Sequence, residues 1–337
     1  MNHDWRWRLT VTAFVLVIAR PIFAASAPVP VNIGSASVST SALSLWVAKE
    51  QGIFRKHGVE AQLILIRGGP TLVASLLAGE IQVAFTSGVS VLGAAAQGVD
   101  IKMLSSISSR VTWKLIASPQ IKRPPDLHGK RFGVQSIVGS TWMYAMLALE
   151  QLGLEPKRDA ISFLPIGDPI TIAHALEAGR IDAAVLDPAV SRQLTSKRFS
   201  LLVDLSNTNA SFPGLGIATT GSYLDQHHAT VERLVAALTE SLAIVQSPAH
   251  KATVIAILMK NLRMSDAAAA EAGYRDHLLT LNRKPYPSID GLRNAQRLMA
   301  LQNPKVASLK VEELIDSSFV RKLDESGFID RLYAFDR

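Results

Sequence analysis

Four turns in this chain place small or hydroxyl-bearing residues where a helix should begin. They are Val38 to Ser41, which carries Ser39 and Thr40; Gly68, Gly69 and Pro70; Ser87 and Gly88; and Gly139, Ser140 and Thr141. The first backbone N–H groups of a helix lack an intrahelical partner, and the aligned peptide dipoles add partial positive charge, so such turns suit an anion. Glycine lets a ligand approach the backbone closely. Taken singly, each Ser or Thr reads first as an ordinary N-cap; small residues at facing turns of both repeats favour the anion site. Two acidic turns, Asp168 before Pro169 and Asp187 before Pro188, add a second chemistry. Facing a cleft, they would meet a donor or a positive group on the ligand. Otherwise each caps a helix with proline at its first position. Trp46, Trp113 and Trp142 could stack on a ring, although packing in a core is the commoner fate of each. Trp142, directly after the 139–141 turn, is the best placed of the three. His57 and His174 lack a second ligand at metal spacing, so neither a metal nor a cofactor is expected. The chain contains no GxSxG, HExxH or phosphate-loop motif.

The elements that must position these turns occur twice. Eleven positions match the residue one hundred places on: Val38/Val138, Ala48/Ala148, Glu50/Glu150, Gln51/Gln151, Ile66/Ile166, Thr71/Thr171, Leu76/Leu176, Ala78/Ala178, Gly79/Gly179, Ile81/Ile181 and Ala84/Ala184. The order of parts repeats with them: strand, turn, helix, strand, turn, helix, Ala-Gly stop, strand. In the first set, strands are predicted at 31–36, 59–66 and 83–86, with 101–107 and 113–117 completing the set. In the second they fall at 131–135, 161–165, 183–186 and 201–205. Short continuous apolar runs bounded by glycine read as buried parallel strands. Strands alternating with helices imply a mostly parallel sheet in each half. A charged, proline-containing stretch at 122–125 reads as the passage between halves. From about His228 the pattern is helical. The repeat is too long for a solenoid and reads as two α/β lobes, whose cleft is a preferred place for a small molecule.

A chain of 337 residues suggests about two domains, and 48% hydrophobic residues supply a substantial core. The net charge of +7 is spread thinly, with no dense Lys/Arg run, so nucleic-acid binding is not expected. Without cysteine there are no disulfides, thiolate zinc sites or cysteine nucleophiles. Trp5 to Arg8 form a basic start, Leu9 to Ala19 an apolar run, and Ala24 to Ala27 a stretch of small residues. This is the layout of a secretory signal peptide, cleaved near Ala24 or Ala27. The apolar run is short for a membrane span, and no cysteine follows it to carry a lipid anchor. The expected organisation is a signal peptide at 1–27, lobe 1 at 28–118, lobe 2 at 119–213, and a return to lobe 1 with C-terminal helices at 214–337.

The run LWVAKEQGIFRKHGVE (45–60), then GGPTLVASLLAGEIQVAFTS (68–87), DLHGKRFGVQ (126–135), the GST turn (139–141), ALEAGRIDAAVLDP (175–188) and DSSFVRKLDESGFIDRLY (316–333) form an ordered set. It resembles the solute-binding proteins of ABC importers in the nitrate/sulfonate/taurine and thiamine-precursor group. The resemblance implies a type 2 periplasmic-binding fold, with two α/β lobes, two crossovers and a hinged cleft; the second crossover would lie near 214–218. It further implies a monomeric periplasmic protein that binds a small molecule and serves a membrane permease and its ATPase. Carried over by position, the ligand contacts are Ser39, Thr40, Gly69, Ser87, Gly139, Ser140, Thr141, Asp168 and Asp187, and Trp142 joins them from its place beside the turn. The same group holds enzymes of pyrimidine biosynthesis and desulfination that rely on cysteine, which is absent here, so no catalysis is expected. Two rivals stay open: an enzyme using Asp168 and Asp187 as acid and base, and a receptor signalling to a membrane kinase. Hydroxyls and helix N-termini favour an organic anion over nitrate, while the acidic residues and Trp142 leave room for an aromatic or amine-bearing compound.

Overall fold

The structure, a computed structural model, describes residues 27–36, 38–208 and 211–334. The basic and apolar parts of the expected signal peptide, and a cleavage site at Ala24, lie outside the described residues.

The first half runs β1 (Val29–Ser35), α1 (Leu43–Glu50), α2 (Ile53–Lys56), β2 (Val59–Leu65), α3 (Gly69–Leu77), β3 (Val83–Ser87), α4 (Gly88–Ala95) and β4 (Ile101–Met103). The second runs β5 (Lys114–Ala117), β6 (Arg131–Val134), α5 (Ser140–Gln151), β7 (Ser162–Pro165), α6 (Pro169–Glu177), β8 (Ala183–Leu186), α7 (Pro188–Ser196) and β9 (Ser200–Asp204). Then come β10 (Leu215–Thr220), α8 (Gly221–Gln246), α9 (Lys251–Leu262), α10 (Ala267–Leu278), α11 (Ile289–Ala300), α12 (Ser318–Glu325) and α13 (Phe328–Leu332). α8 starts before His228 and is kinked at His227, whose φ of −130° and ψ of 30° are not helical.

Two five-stranded sheets result, ordered β2-β1-β3-β10-β4 and β7-β6-β8-β5-β9. The internal repeat is visible in their packing. Gly34 of β1 pairs with Ala84, and Gly133 of β6 pairs with Ala184. A Cβ at Gly34 would stand 2.4 Å from Leu72 and 2.5 Å from Ile81; one at Gly133 would stand 2.4 Å from Ile181 and 3.3 Å from Ile172. In each lobe a bare strand position admits the helix side chain and the isoleucine that precedes the central strand. Both central strands, β3 and β8, are buried along their whole length, as a sheet covered on both faces requires.

Each sheet takes its fourth strand, antiparallel to the third, from the chain's passage between lobes. The strand expected to complete the first set, 113–117, therefore belongs to the second sheet: Lys114–Ala117 pairs with β8 and β9. The passage into the second lobe precedes residue 114, and the proline-containing stretch near 122–125 is a turn already within that lobe. Periodicity marks an apolar strand but not its partner. The two passages lie against each other through Leu104 N–H to Ile217 O (2.8 Å), Ile107 N–H to Leu215 O (2.7 Å), Phe212 N–H to Ser109 O (3.0 Å) and Leu205 N–H to Trp113 O (2.9 Å).

The later helices tie the lobes together. α8 and α9 pack on α1, and α11 packs on both α4 and α5. One continuous apolar cluster joins Leu72 and Leu92 of the first lobe, Leu292 and Met299 of α11, and Met146 and Phe132 of the second. Arg297 of α11 grips Glu150 of α5 with both terminal nitrogens, at 2.6 and 2.9 Å.

Candidate functional site

A cavity of about 740 Å³ opens between the lobes. This falls within the size range of small-molecule sites. The first lobe contributes Val38 to Ser41; the first passage contributes Ile107, Ser108, Arg110, Thr112 and Trp113. The second lobe contributes Tyr144, the starts of α6 and α7, and Asp187. α9 and α10 close the cavity with Leu258, Leu262, Ala270, Gly273 and His277.

Of the residues expected to touch a ligand, Ser39, Thr40 and Asp187 line this cavity. Ser39 and Ser41 share a hydrogen bond between hydroxyls at 2.6 Å. Gly69, Ser87, Gly139, Ser140, Thr141, Trp142 and Asp168 do not line it, and each is otherwise engaged. Gly69 sits so close to Ser90 that a Cβ would lie 2.0 Å from its hydroxyl. The Ser140 hydroxyl donates to the Ser87 hydroxyl at 2.8 Å, so two of the expected turns meet each other across the lobes. Gly139 is packed on Ser136, and the Thr141 hydroxyl accepts the Gln135 N–H at 2.8 Å.

Trp142 is a correction. It is 2% exposed and packs edge-on to Phe163 in the core. Residues two apart on a helix point to opposite sides, and Tyr144 takes the cavity side instead. Trp113 also faces the cavity, while Trp46 packs against the first-lobe core.

The two acidic turns differ. Asp168 caps α6 by accepting the Thr171 N–H at 2.9 Å and lies 3.8 Å from Arg67 of the other lobe. Asp187 caps α7, its Oδ1 accepting the Ala189 and Val190 N–H groups at 2.9 and 3.1 Å. Burial pushes the Asp187 carboxyl above its ordinary range, against the pull of those N–H groups and of Arg192. His277, 8% exposed, is pushed down to about 4 by burial, and its Nε2 has no hydrogen-bond partner. Burial likewise raises the Tyr144 phenol, keeping it a neutral donor.

Sequence reasoning missed Arg110, Thr112, Tyr144 and His277. The signal for Tyr144 was available in the helical phase of α5. The passage residues became visible only once β5 was seen in the second sheet, which draws residues 104–113 across the mouth between lobes.

The cavity has open donors, apolar walls, and contributions from both lobes. Its volume is in the range of small-molecule sites. Comparison with known proteins gives this arrangement a family. A protein of Brucella abortus, named only as a candidate binding protein, is 29% identical over 164 residues, 49% of this chain and 50% of that one; the match thus spans about half the length of that relative. Among solved structures, a protein of Bordetella bronchiseptica superposes with a TM-score of 0.78 at 21% identity, over 88% of this chain and 97% of that one. The alkanesulfonate-binding protein SsuA of Xanthomonas axonopodis, solved with MOPS bound, superposes with a TM-score of 0.68 at 19% identity, over 87% and 100% of the two chains. These likenesses show the periplasmic-binding fold, two α/β lobes with mixed sheets. The description "NMT1/THI5 like" matches residues 39–250, most of the chain, and the protein belongs to that family.

Proposed function

We propose that this protein is the periplasmic solute-binding component of an ABC importer. It captures a small organic anion between its lobes and delivers it, as a monomer, to a membrane permease driven by an ATPase. The observation that carries this reading is the cavity of about 740 Å³ walled by both lobes and by the passages that connect them. Such a site is completed when the lobes close about their hinge, and the closed form is what a permease recognises. The alkanesulfonate-binding neighbour supports an organic anion. Export through the basic and apolar N-terminal segment fits the same role. An acid–base pair of Asp168 and Asp187 finds little support, since Asp187 alone lines the cavity and both carboxylates cap helices.

The test is a thermal-shift screen of the purified protein against sulfonates, carboxylates, nitrate, taurine, pyrimidines and amines, paired with small-angle scattering. A ligand present at about a thousand times its dissociation constant should add about 4 kcal/mol of stability. Hits should also contract the protein. Turnover of a hit, or no binding and no co-purified small molecule, would overturn the reading.

A further inference from the structure

We propose that the first passage and Tyr144 form the anion-recognising wall of the cavity, and that the ligand is a ring-bearing organic anion, an aromatic or alicyclic carboxylate or sulfonate. This deepens the binding-protein reading and rests on it.

Among the described residues, the Arg110 guanidinium, the Thr112 hydroxyl, the Trp113 indole N–H and the Tyr144 hydroxyl have no hydrogen bond or ion pair, and all four residues line the cavity. Each of the acids around the same space is held through at least one carboxylate oxygen. Asp187 and Asp266 cap α7 and α10, Asp276 pairs with Arg192, and Glu177 pairs with Lys197. Four open donors on one stretch of the wall favour a ligand rich in acceptors. With an unpaired guanidinium among the donors, that ligand is an anion.

The rest of the wall gives the ligand's body. Trp113 lies against Tyr144 with ring centroids 5.0 Å apart, and Tyr144 lies against Phe212 at 4.7 Å. These tilted ring contacts brace Trp113 where it lines the cavity, and place an aromatic surface beside the ligand space. Leu258, Leu262, Met264 and Ile170 supply apolar surface around the same space. Nitrate or a two-carbon sulfonate would leave most of about 740 Å³ unfilled.

Isothermal titration of the purified protein with benzoate, benzenesulfonate, cyclohexanecarboxylate, benzamide, taurine and nitrate tests this. The ring acids should bind, and neutral benzamide should bind at least about tenfold more weakly, the worth of one charge-assisted hydrogen bond. Arg110→Gln should weaken the ring acids by a similar factor, and Tyr144→Phe by severalfold, both with unchanged unfolding midpoints. Tighter binding of nitrate or taurine, or ring-acid binding indifferent to Arg110→Gln, would overturn this proposal and leave the binding-protein reading standing. If the whole panel is silent, mass spectrometry of the denatured protein decides. A co-purified ring acid supports the proposal and any other co-purified solute sinks it. An empty protein brings down the underlying reading as well.

Discussion

Arg192 of α7 and Asp276 of α10 meet through Nη1 and Oδ2 at 2.5 Å, joining the second lobe to a helix that packs with the first-lobe side of the molecule. Both residues line the cavity, so the pair spans its edge and is expected to act as a latch on the closed form. Both are partly exposed, so the pair contributes up to about 1 kcal/mol, less at high salt. Arg192→Glu should weaken ligand binding by roughly two- to fivefold through loss of the closed state. Adding Asp276→Arg should restore it. Titration of the single and double variants checks this; equal loss in both would show that the pair does not latch.

Ligand affinity should depend on Asp187. Its carboxyl is raised above the ordinary value of 3.8 by burial. The folded state therefore holds this proton more tightly than the unfolded chain. The contribution to stability is present at low pH and is lost as pH rises from 3.8 through the raised value. Over the same window a negative charge develops on the cavity wall. Affinity for an organic anion should therefore fall as pH rises, and Asp187→Asn, which still caps α7, should bind more tightly and flatten the profile. Calorimetry across that window gives the answer.

His277 should make the protein sensitive to acid. Its folded value is about 4 against 6.5 for an ordinary imidazole. The unfolded chain takes up the proton first, so stability is full above about pH 6.5 and is lost as pH falls towards 4, by up to roughly 3 kcal/mol. His277→Phe removes both the titration and the orphaned Nε2. The difference in unfolding free energy between variant and parent should shift in the variant's favour on going from neutral to mildly acidic pH. A constant difference would show that His277 is not the buried neutral group described.

Gly216 should be intolerant of any side chain. A Cβ there would lie 1.7 Å from the carbonyl oxygen of Ser105 on the other passage. That oxygen belongs to backbone, so relief requires the two passages to move apart. Gly216→Ala should cost about 1–3 kcal/mol or more, measured by urea unfolding. It should also weaken ligand binding beyond the stability loss, because the passages carry the Arg110 wall.

Much of this protein is legible along the chain. The strands at 59–65, 83–87 and 183–186, and helices starting at Ser140 and Pro169, follow from apolar runs, caps and glycines, all local effects. The two-lobe repeat is legible as well, because each lobe needs the same small residues where a strand meets its covering helix. The three-dimensional structure alone decided which strands share a sheet and which turns face the ligand space. Lys114–Ala117 is as apolar as a first-lobe strand, and only pairing with β8 assigns it to the second. Ser87 and Ser140 look like ligand turns, yet they hydrogen-bond to one another because the packing of the lobes brings both helix starts together. Trp142 and Tyr144 sit beside the same turn, and the phase of α5 sends one into the core and the other into the cavity. Local propensity sets what each segment becomes, whereas the neighbours of a side chain depend on contacts between segments a hundred or more residues apart, which no local pattern encodes.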